Sequence, residues 1–296
     1  MTNLVQSVSD RLLNIARARG EDFQFVLVRY GSERLLYRIS VHPELREFVL
    51  KGASLFLVWE GQWFRTTRDI DLLGYGSTDL FRMERIFQSV CAMESVEVDG
   101  LSFDEKTLSV SRIKEDQFYE GIRIRLVAFL GKTRIPLQVD IGFGDAITPG
   151  PQSVQFPCLL DAPAPNLLAY PFETALAEKF LAIATLGMQN TRMKDYYDIL
   201  VLSKRRAFES RALADAIRNT CIARRLPIPK SIPVGLSEAF TQDTEKRRQW
   251  DAFVRRSSLS IPVGDLSSVV REVRVYLNPI FPQLSLESSG SVIVSL

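Results

Sequence analysis

The stretch FVLKGASLFLVWEGQWFRTTRDIDLL, residues 48–73, decides how this chain folds. It opens with an apolar run that reads as a strand and breaks at Lys51-Gly52-Ala53-Ser54. An apolar, helix-like run follows and stops at Gly61; the segment then closes on Arg-Thr-Thr-Arg-Asp-Ile-Asp. Strand side chains alternate between faces, so Asp69 and Asp71 share one face and Ile70 points to the other. Two carboxylates on one face repel unless a cation lies between them. Short carboxylate arms are ligands of Mg²⁺, which also keeps waters and substrate phosphates in its shell. A two-metal arrangement positions an attacking oxygen and stabilises a leaving pyrophosphate.

Taken alone, an Asp-x-Asp pair is better described as a polar edge strand in water. The turn upstream changes that reading. Gly52-Ala53-Ser54 lies between a strand and a helix, where free N–H groups and the helix dipole favour anions. Gly52 lets backbone approach a phosphate, Ser54 offers a hydroxyl, and Lys51 adds a charge. Two-metal phosphoryl chemistry also calls for a third carboxylate. In RIPLQVDIGFGD, residues 134–145, the apolar residues mostly alternate and leave Asp140 on the other face beside Gln138. Asp145 is the alternative; it follows the strand among glycines, where an Asp commonly stabilises a turn.

Outward from this unit, residues 1–40 read as two helices. STDLFRMERIFQSVCAM, residues 77–93, reads as an amphipathic helix capped by Ser77 or Thr78. VEVDG, LSFD and TLSVSRI read as short strands, and GIRIRLVAFLGKTRIPLQVDIGF as a hairpin turning near Gly131-Lys132. The proline-dense residues 147–173 read as a connection with one edge strand. From Phe172 onward the pattern is helical, and the Ser-rich end is expected to fray. Strands early and helices late predict an α+β chain. The expected domains are residues 1–165, holding the catalytic sheet, and residues 166–296, helical.

The 46% hydrophobic and 24% charged composition is that of a globular protein with a sizeable core. Neither a signal peptide nor a membrane span is expected. Cys91, Cys158 and Cys221 lie far apart without metal-ligand spacing, which points to reduced core thiols in a cytoplasmic protein. His42 is the single histidine; it reads as structural, and it rules out a histidine-based zinc cluster. Residues 166–296 carry 18 Lys/Arg against 13 Asp/Glu, net +5, and residues 1–165 carry 19 against 22, net −3. An acidic front and a basic rear suit a metal site facing a polyanion, although solvated faces vary this much by chance.

The helical half adds chemistry of its own. Lys179 lies in YPFETALAEKFLAI, and NTRMKDYYDIL places Asp195 and Asp198 three apart on one helical face, flanked by Arg192 and Lys194. The set Gly-x-Ser, Asp-x-Asp and a distant Asp resembles the nucleotidyltransferase fold of the DNA polymerase β type, with Gly-Ala-Ser where Gly-Ser is usual. With K-G-x-x-L, R-x-T-x-D-I-D, A-E-K and R-x-K-D-x-x-D in order, the chain is similar to the AbiEii/AbiGii toxin family over residues 48–202.

That resemblance implies a nucleotidyltransferase toxin paired with an antitoxin protein, moving NMP from an NTP to the 3′ end of tRNA or another RNA and so stopping translation. It implies that Asp69 and Asp71 hold Mg²⁺ (or Mn²⁺), with Asp140 as third ligand. Lys51, Gly52 and Ser54 contact the triphosphate, Lys179 reaches the nucleotide, and Asp195 acts as a base or orienting group. Arg65 and Arg68 are phosphate or structural partners of the Asp pair, and Lys194 joins Arg68 among the nucleotide contacts. The basic clusters at 204–206, 224–225, 246–248 and 255–256 are candidates for RNA contact or ordinary solvated surface. Two other readings remain: transfer to a protein hydroxyl or a small molecule, and an NTP-binding interaction module without turnover.

Overall fold

The computed structural model describes residues 2–65, 67, 69–93, 99–116 and 119–286. The chain divides into two compact units, residues 1–145 with 150–170, and residues 146–149 with 171–296.

The first unit opens with α1 (Thr2–Arg19) and α2 (Phe23–Val41). Asp22 caps α2 by accepting from the Phe25 amide. α2 is buried on most sides, so its charges are paired internally. Arg38 donates to Asp99 at 2.7 Å and lies over the Phe103 ring, and Arg34 pairs with Glu33 at 3.1 Å. Next come β1 (Val49–Lys51), α3 (Ser54–Glu60), β2 (Asp69–Gly74) and α4 (Leu80–Ala92). The cap of α4 is Asp79, which accepts from the Arg82 amide at 2.7 Å, and not Ser77 or Thr78 as read from the sequence. An aspartate in extended backbone directly before the first helical residue makes that bond; Ser77 lies too far upstream and receives the Asp79 amide instead.

Then follow β3 (Leu101–Asp116), β4 (Tyr119–Leu130), β5 (Thr133–Phe143), β6 (Gln152–Gln155) and β7 (Asn166–Ala169). LSFD and TLSVSRI, expected as separate strands, form the single β3 with a register shift between Asp104 and Ser109, while VEVDG lies mostly outside the described residues. The strands make one mixed sheet in the order β3-β4-β5-β2-β1-β7-β6. The proline-dense connection supplies two strands rather than one: β7 pairs parallel with β1, and β6 takes the edge. This pairing carries the first unit's sheet to Ala169, past the expected boundary at 165. One face of β4 and β5 is core, with Ile122, Ile124, Leu126, Ala128, Ile135, Leu137, Val139 and Ile141 all at most 3% exposed.

The second unit is helical: α5 (Phe172–Leu186), α6 (Met193–Arg205), α7 (Ser210–Arg224), α8 (Glu238–Gln242), α9 (Thr244–Arg256), α10 (Leu266–Leu277) and α11 (Ile280–Ser285). Its core is aromatic. Tyr196 stacks on Phe240 and donates to the Gly235 carbonyl, and the buried Trp250 donates to the Gly264 carbonyl. Burial without a partner would cost each of these polar tips its hydration. The Ser-rich end from 287 onward lies outside the described residues. Among the described residues no helix is long and apolar enough to cross a membrane.

His42 is the C-cap of α2, with one ring nitrogen on the Ser89 hydroxyl and the other accepting from the Glu44 amide. It is structural, as expected. Burial pushes the thiols of Cys91 and Cys221 up to about 11 and that of Cys158 up to about 12, so all three stay protonated near neutrality.

Candidate active site

β1 and β2 run antiparallel with Lys51 opposite Asp71, so the turn leaving β1 comes directly onto the acidic strand. Gly52 has φ 73°, a left-handed conformation that costs a side-chain-bearing residue. A Cβ at position 52 would also lie 2.0 Å from Asp71 Oδ2. Glycine is therefore required twice over: once for backbone conformation and once for space. The next helix, α3, starts at the buried Ser54.

Asp69 and Asp71 are half-buried, while Ile70 and Leu72 between and beyond them are core. The alternation expected from the sequence holds. β2 pairs parallel with β5, placing Asp69 beside Gln138 and Asp71 beside Asp140. Residues in register point to the same side of a sheet, so three carboxylates share one face across two strands. Asp140 is not available without exchange: its oxygens accept from Arg123 at 2.7 and 2.6 Å and from the Gln138 amide at 3.3 Å. These bonds, then the charges of Asp140, Asp69 and Asp71, hold the Arg123 guanidinium above its ordinary pKa. Arg123 is the residue that sequence reading missed. Its signal was the alternation of GIRIRL, which puts arginines on the polar face of the strand next to Asp140, but only the register shows which carboxylate it meets.

Whether a divalent ion fits can be asked of these groups. Among the described residues no three carboxylate, thiol or imidazole groups converge as a ready cage. Mg²⁺ needs less than a cage, because it binds through one or two carboxylates and completes its shell with water and phosphate. The Asp69–Asp71 pair fits that demand, and Arg123 already balances part of the negative charge.

Lys51 forms an ion pair with Asp145 at 3.1 Å, both side chains under 10% exposed, and Tyr170 donates to the same carboxylate oxygen. Asp145 is therefore the partner of Lys51, while Asp140 holds the register position next to Asp71. Arg68 lies outside the described residues. Asp69, Thr67 and Ser54 also line a cavity of about 80 Å³ with Arg29, Trp63 and Cys158, room for a few waters.

In the second unit, α5 and α6 bring Lys179 to Asp198 at 2.6 Å and to Asp195 at 3.6 Å. Arg192 grips the other oxygen of Asp195 at 2.7 Å. Asp195 is fully buried. Burial, the largest influence, pushes its carboxyl up, but Lys179, Arg192 and Lys194 together hold it below the ordinary carboxylate value. Such a group is ionised at neutral pH and orients cations rather than shuttling protons. Glu178, next to Lys179 in sequence, pairs with Arg224. Asn190, unremarked in the sequence, accepts the Arg192 amide and starts this turn. Lys194 is exposed. Of the basic clusters, Lys246 is buried and donates to the Asn190 carbonyl, Arg247 donates to the Thr241 carbonyl, and Arg248, Arg255 and Arg256 are exposed.

Among solved structures, the chain is similar to MenT4, the nucleotidyltransferase toxin Rv2826c from Mycobacterium tuberculosis H37Rv. The identity is 17%, the match covers 96% of this chain and 90% of that one, and the TM-score is 0.57. It also matches JHP933 from Helicobacter pylori at 16% identity and TM-score 0.48, over 85% of this chain and 89% of that one. At 17% identity the likeness to MenT4 is one of fold. No match was found among curated proteins. The family model described as nucleotidyl transferase AbiEii toxin, type IV toxin–antitoxin system, matches residues 34–272, most of the chain and both of its units. The chain belongs to the AbiEii family of nucleotidyltransferase toxins from type IV toxin–antitoxin systems.

Proposed function

We propose that this toxin transfers NMP from an NTP to the 3′ hydroxyl of tRNA, with Mg²⁺ or Mn²⁺ held by Asp69 and Asp71, and thereby blocks translation. The observation that carries this reading is the contact between the Gly52 turn and the Asp71 carboxylate. It joins the segment suited to a triphosphate to the segment suited to its metal. In the reaction the acceptor oxygen bonds to the α-phosphorus, the bond to the β-phosphate oxygen breaks, and pyrophosphate leaves. The metal, when bound, supplies charge neutralisation and acidifies the attacking hydroxyl.

Each residue's role follows from its setting. Asp69 and Asp71 present two anionic arms on one face. Gly52 keeps the backbone close enough for its surroundings to follow a phosphate tail. Ser54 adds a hydroxyl, and Lys51, released from or shared with Asp145, adds a cation. In the second unit, Lys179 offers an ammonium oriented by Asp195 and Asp198. Asp140 restrains Arg123 and stands as the nearest third carboxylate. The family's type IV system implies an antitoxin as the protein's partner.

Incubation with each labelled NTP, in parallel with total RNA, cell protein and an aminoglycoside, tests the acceptor. Label in tRNA that is lost in the Asp69→Asn protein supports the reading. Label in protein or antibiotic alone identifies another acceptor. Nucleotide binding with no turnover on any acceptor leaves the interaction-module reading.

A further inference from the structure

The face of the sheet that carries Asp69 and Asp71 continues across β5 and β4 without becoming core. In β4 and β5 one side is almost wholly buried, as described above. The other side shows Arg125, Val127, Phe129, Arg134 and Pro136, all half-buried or exposed. An antiparallel sheet commonly has one wet face, usually filled by short polar or mixed-charge residues. Here the composition differs. Arg125 is opposite Gln138, in the same row as Asp69, and Arg134 is directly opposite Phe129.

The charges on this face are not balanced locally. Arg125 donates only to the neutral Gln138 amide oxygen, at 3.1 Å, and among the described residues neither Arg125 nor Arg134 forms an ion pair. On the β3 side, Asp104 is in register with Val127, and one of its oxygens accepts the Lys106 amide. Nearer the acidic pair the balance reverses, because Arg123 is saturated by Asp140. Positive charge without a partner thus begins one strand beyond Gln138 and continues to the β4–β5 turn.

We propose that this open face is a track for the single-stranded 3′ end of the RNA acceptor. The proposal rests on the reading that the acceptor is RNA. Arg125 stands two strands from Asp69, on the order of 10 Å between backbones, and Arg134 lies four residues along β5 from Gln138, on the order of 13 Å. An acceptor whose terminal hydroxyl reaches Asp69 and Asp71 has its preceding phosphates at that distance range. Phe129 lies beside Arg134 and offers a flat platform for a base, and Arg134 adds its guanidinium plane. A basic groove with an aromatic on which bases stack is how proteins hold single strands without reading their sequence. A duplex keeps its bases stacked inside and cannot use Phe129 in this way. A peptide partner would gain most by pairing with the backbone of the edge strand β3, not by crossing a face with two unpaired arginines.

The test uses the full-length protein, a short fluorescein-labelled single-stranded RNA with a free 3′ hydroxyl, and the same RNA as a blunt duplex. Fluorescence anisotropy reads binding without requiring turnover. Wild type is expected to prefer the single strand. Phe129→Ala is expected to weaken it by roughly tenfold, and Phe129→Tyr to restore it. Arg125→Gln and Arg134→Gln should each lower the slope of log K against log salt by about 0.7. With RNA as varied substrate, KM should rise in the same order while KM for NTP stays at the wild-type value. Should Phe129→Ala melt early, the two arginine variants and Phe129→Tyr carry the comparison. Unchanged RNA affinity in the Ala and Gln variants, or equal affinity for the duplex, overturns the track while leaving nucleotide transfer standing. Single-strand binding that follows the expected order in a protein that transfers no nucleotide leaves the track standing and removes the transfer reading.

Discussion

Gly52 and Asp71 touch so closely that a single added carbon at position 52 would lie 2.0 Å from the Asp71 carboxylate oxygen. The two residues are 19 positions apart in sequence, and the antiparallel pairing of β1 with β2 makes them neighbours. The turn that ends one strand thereby sets the position of an acidic side chain on the next.

Gly52→Ala is expected to damage the site more than the fold. The left-handed φ costs a residue with a Cβ about 1–2 kcal/mol, and the methyl displaces the Asp71 carboxylate. Melting should fall by roughly 2–4 °C per kcal/mol lost. Labelled-NMP transfer should fall by at least about tenfold, since a misplaced group of this kind costs up to ~100-fold. Normal transfer in a folded Gly52→Ala protein would contradict the role given to this contact.

Asp69→Asn should spare the fold still more and cost the site more. It removes one charge from a half-buried face while keeping the size of the side chain, so the melting temperature should change little. Transfer should drop by about 100-fold or more, as for loss of a group stabilising charge in the transition state. Chelation with EDTA should silence the wild-type enzyme, and Mg²⁺ or Mn²⁺ should restore it. Persistent transfer in EDTA would remove the metal from the mechanism.

Arg123→Gln leaves Asp140 without its bidentate partner and removes a positive charge that acts on Asp69 and Asp71. The three carboxylates on this face are then less compensated than in wild type, which favours a divalent cation. Calorimetric titration of the variant with Mg²⁺ alone should show tighter binding than wild type. Equal or weaker Mg²⁺ binding would show that Arg123 does not compete with a cation for these carboxylates.

Asp195 links stability to pH. Its folded-state pKa is below the ordinary value, so the stability it contributes is fully present above about pH 4 and is lost as pH falls through the lower folded value. Acid denaturation of Asp195→Asn should therefore lack part of the wild-type slope below about pH 4. Lys179→Met, which leaves Asp195 and Asp198 buried with less compensation, should cost about 3–5 kcal/mol in urea denaturation at neutral pH. Lys179→Arg should recover part of that stability, because a guanidinium can still reach both carboxylates.

Much of the first unit was legible in its sequence because its signals are short-range. Alternation in DIDLL placed Asp69 and Asp71 on one face, and the break at Lys51-Gly52 marked the turn between β1 and α3. The cap of α4 was misread because Ser77, Thr78 and Asp79 all favour caps, and only the backbone path chooses among them. The proline-dense connection concealed two strands, since their stability comes from pairing with β1 and with each other rather than from their own composition.

Local order in the chain was enough to single out the candidate residues and their local settings: a glycine turn, two carboxylates at period two, and Lys179 with Asp195 and Asp198 on helices. Partnership was decided only when distant segments came together. The tertiary structure joined Arg123 to Asp140, Lys51 to Asp145 and Lys179 to Asp198, buried Lys246, and left Arg125 and Arg134 facing solvent. The reason is physical. Face and turn are properties of a few consecutive backbone dihedrals, whereas the charge that meets a given charge depends on strand register and helix packing, which no single segment contains.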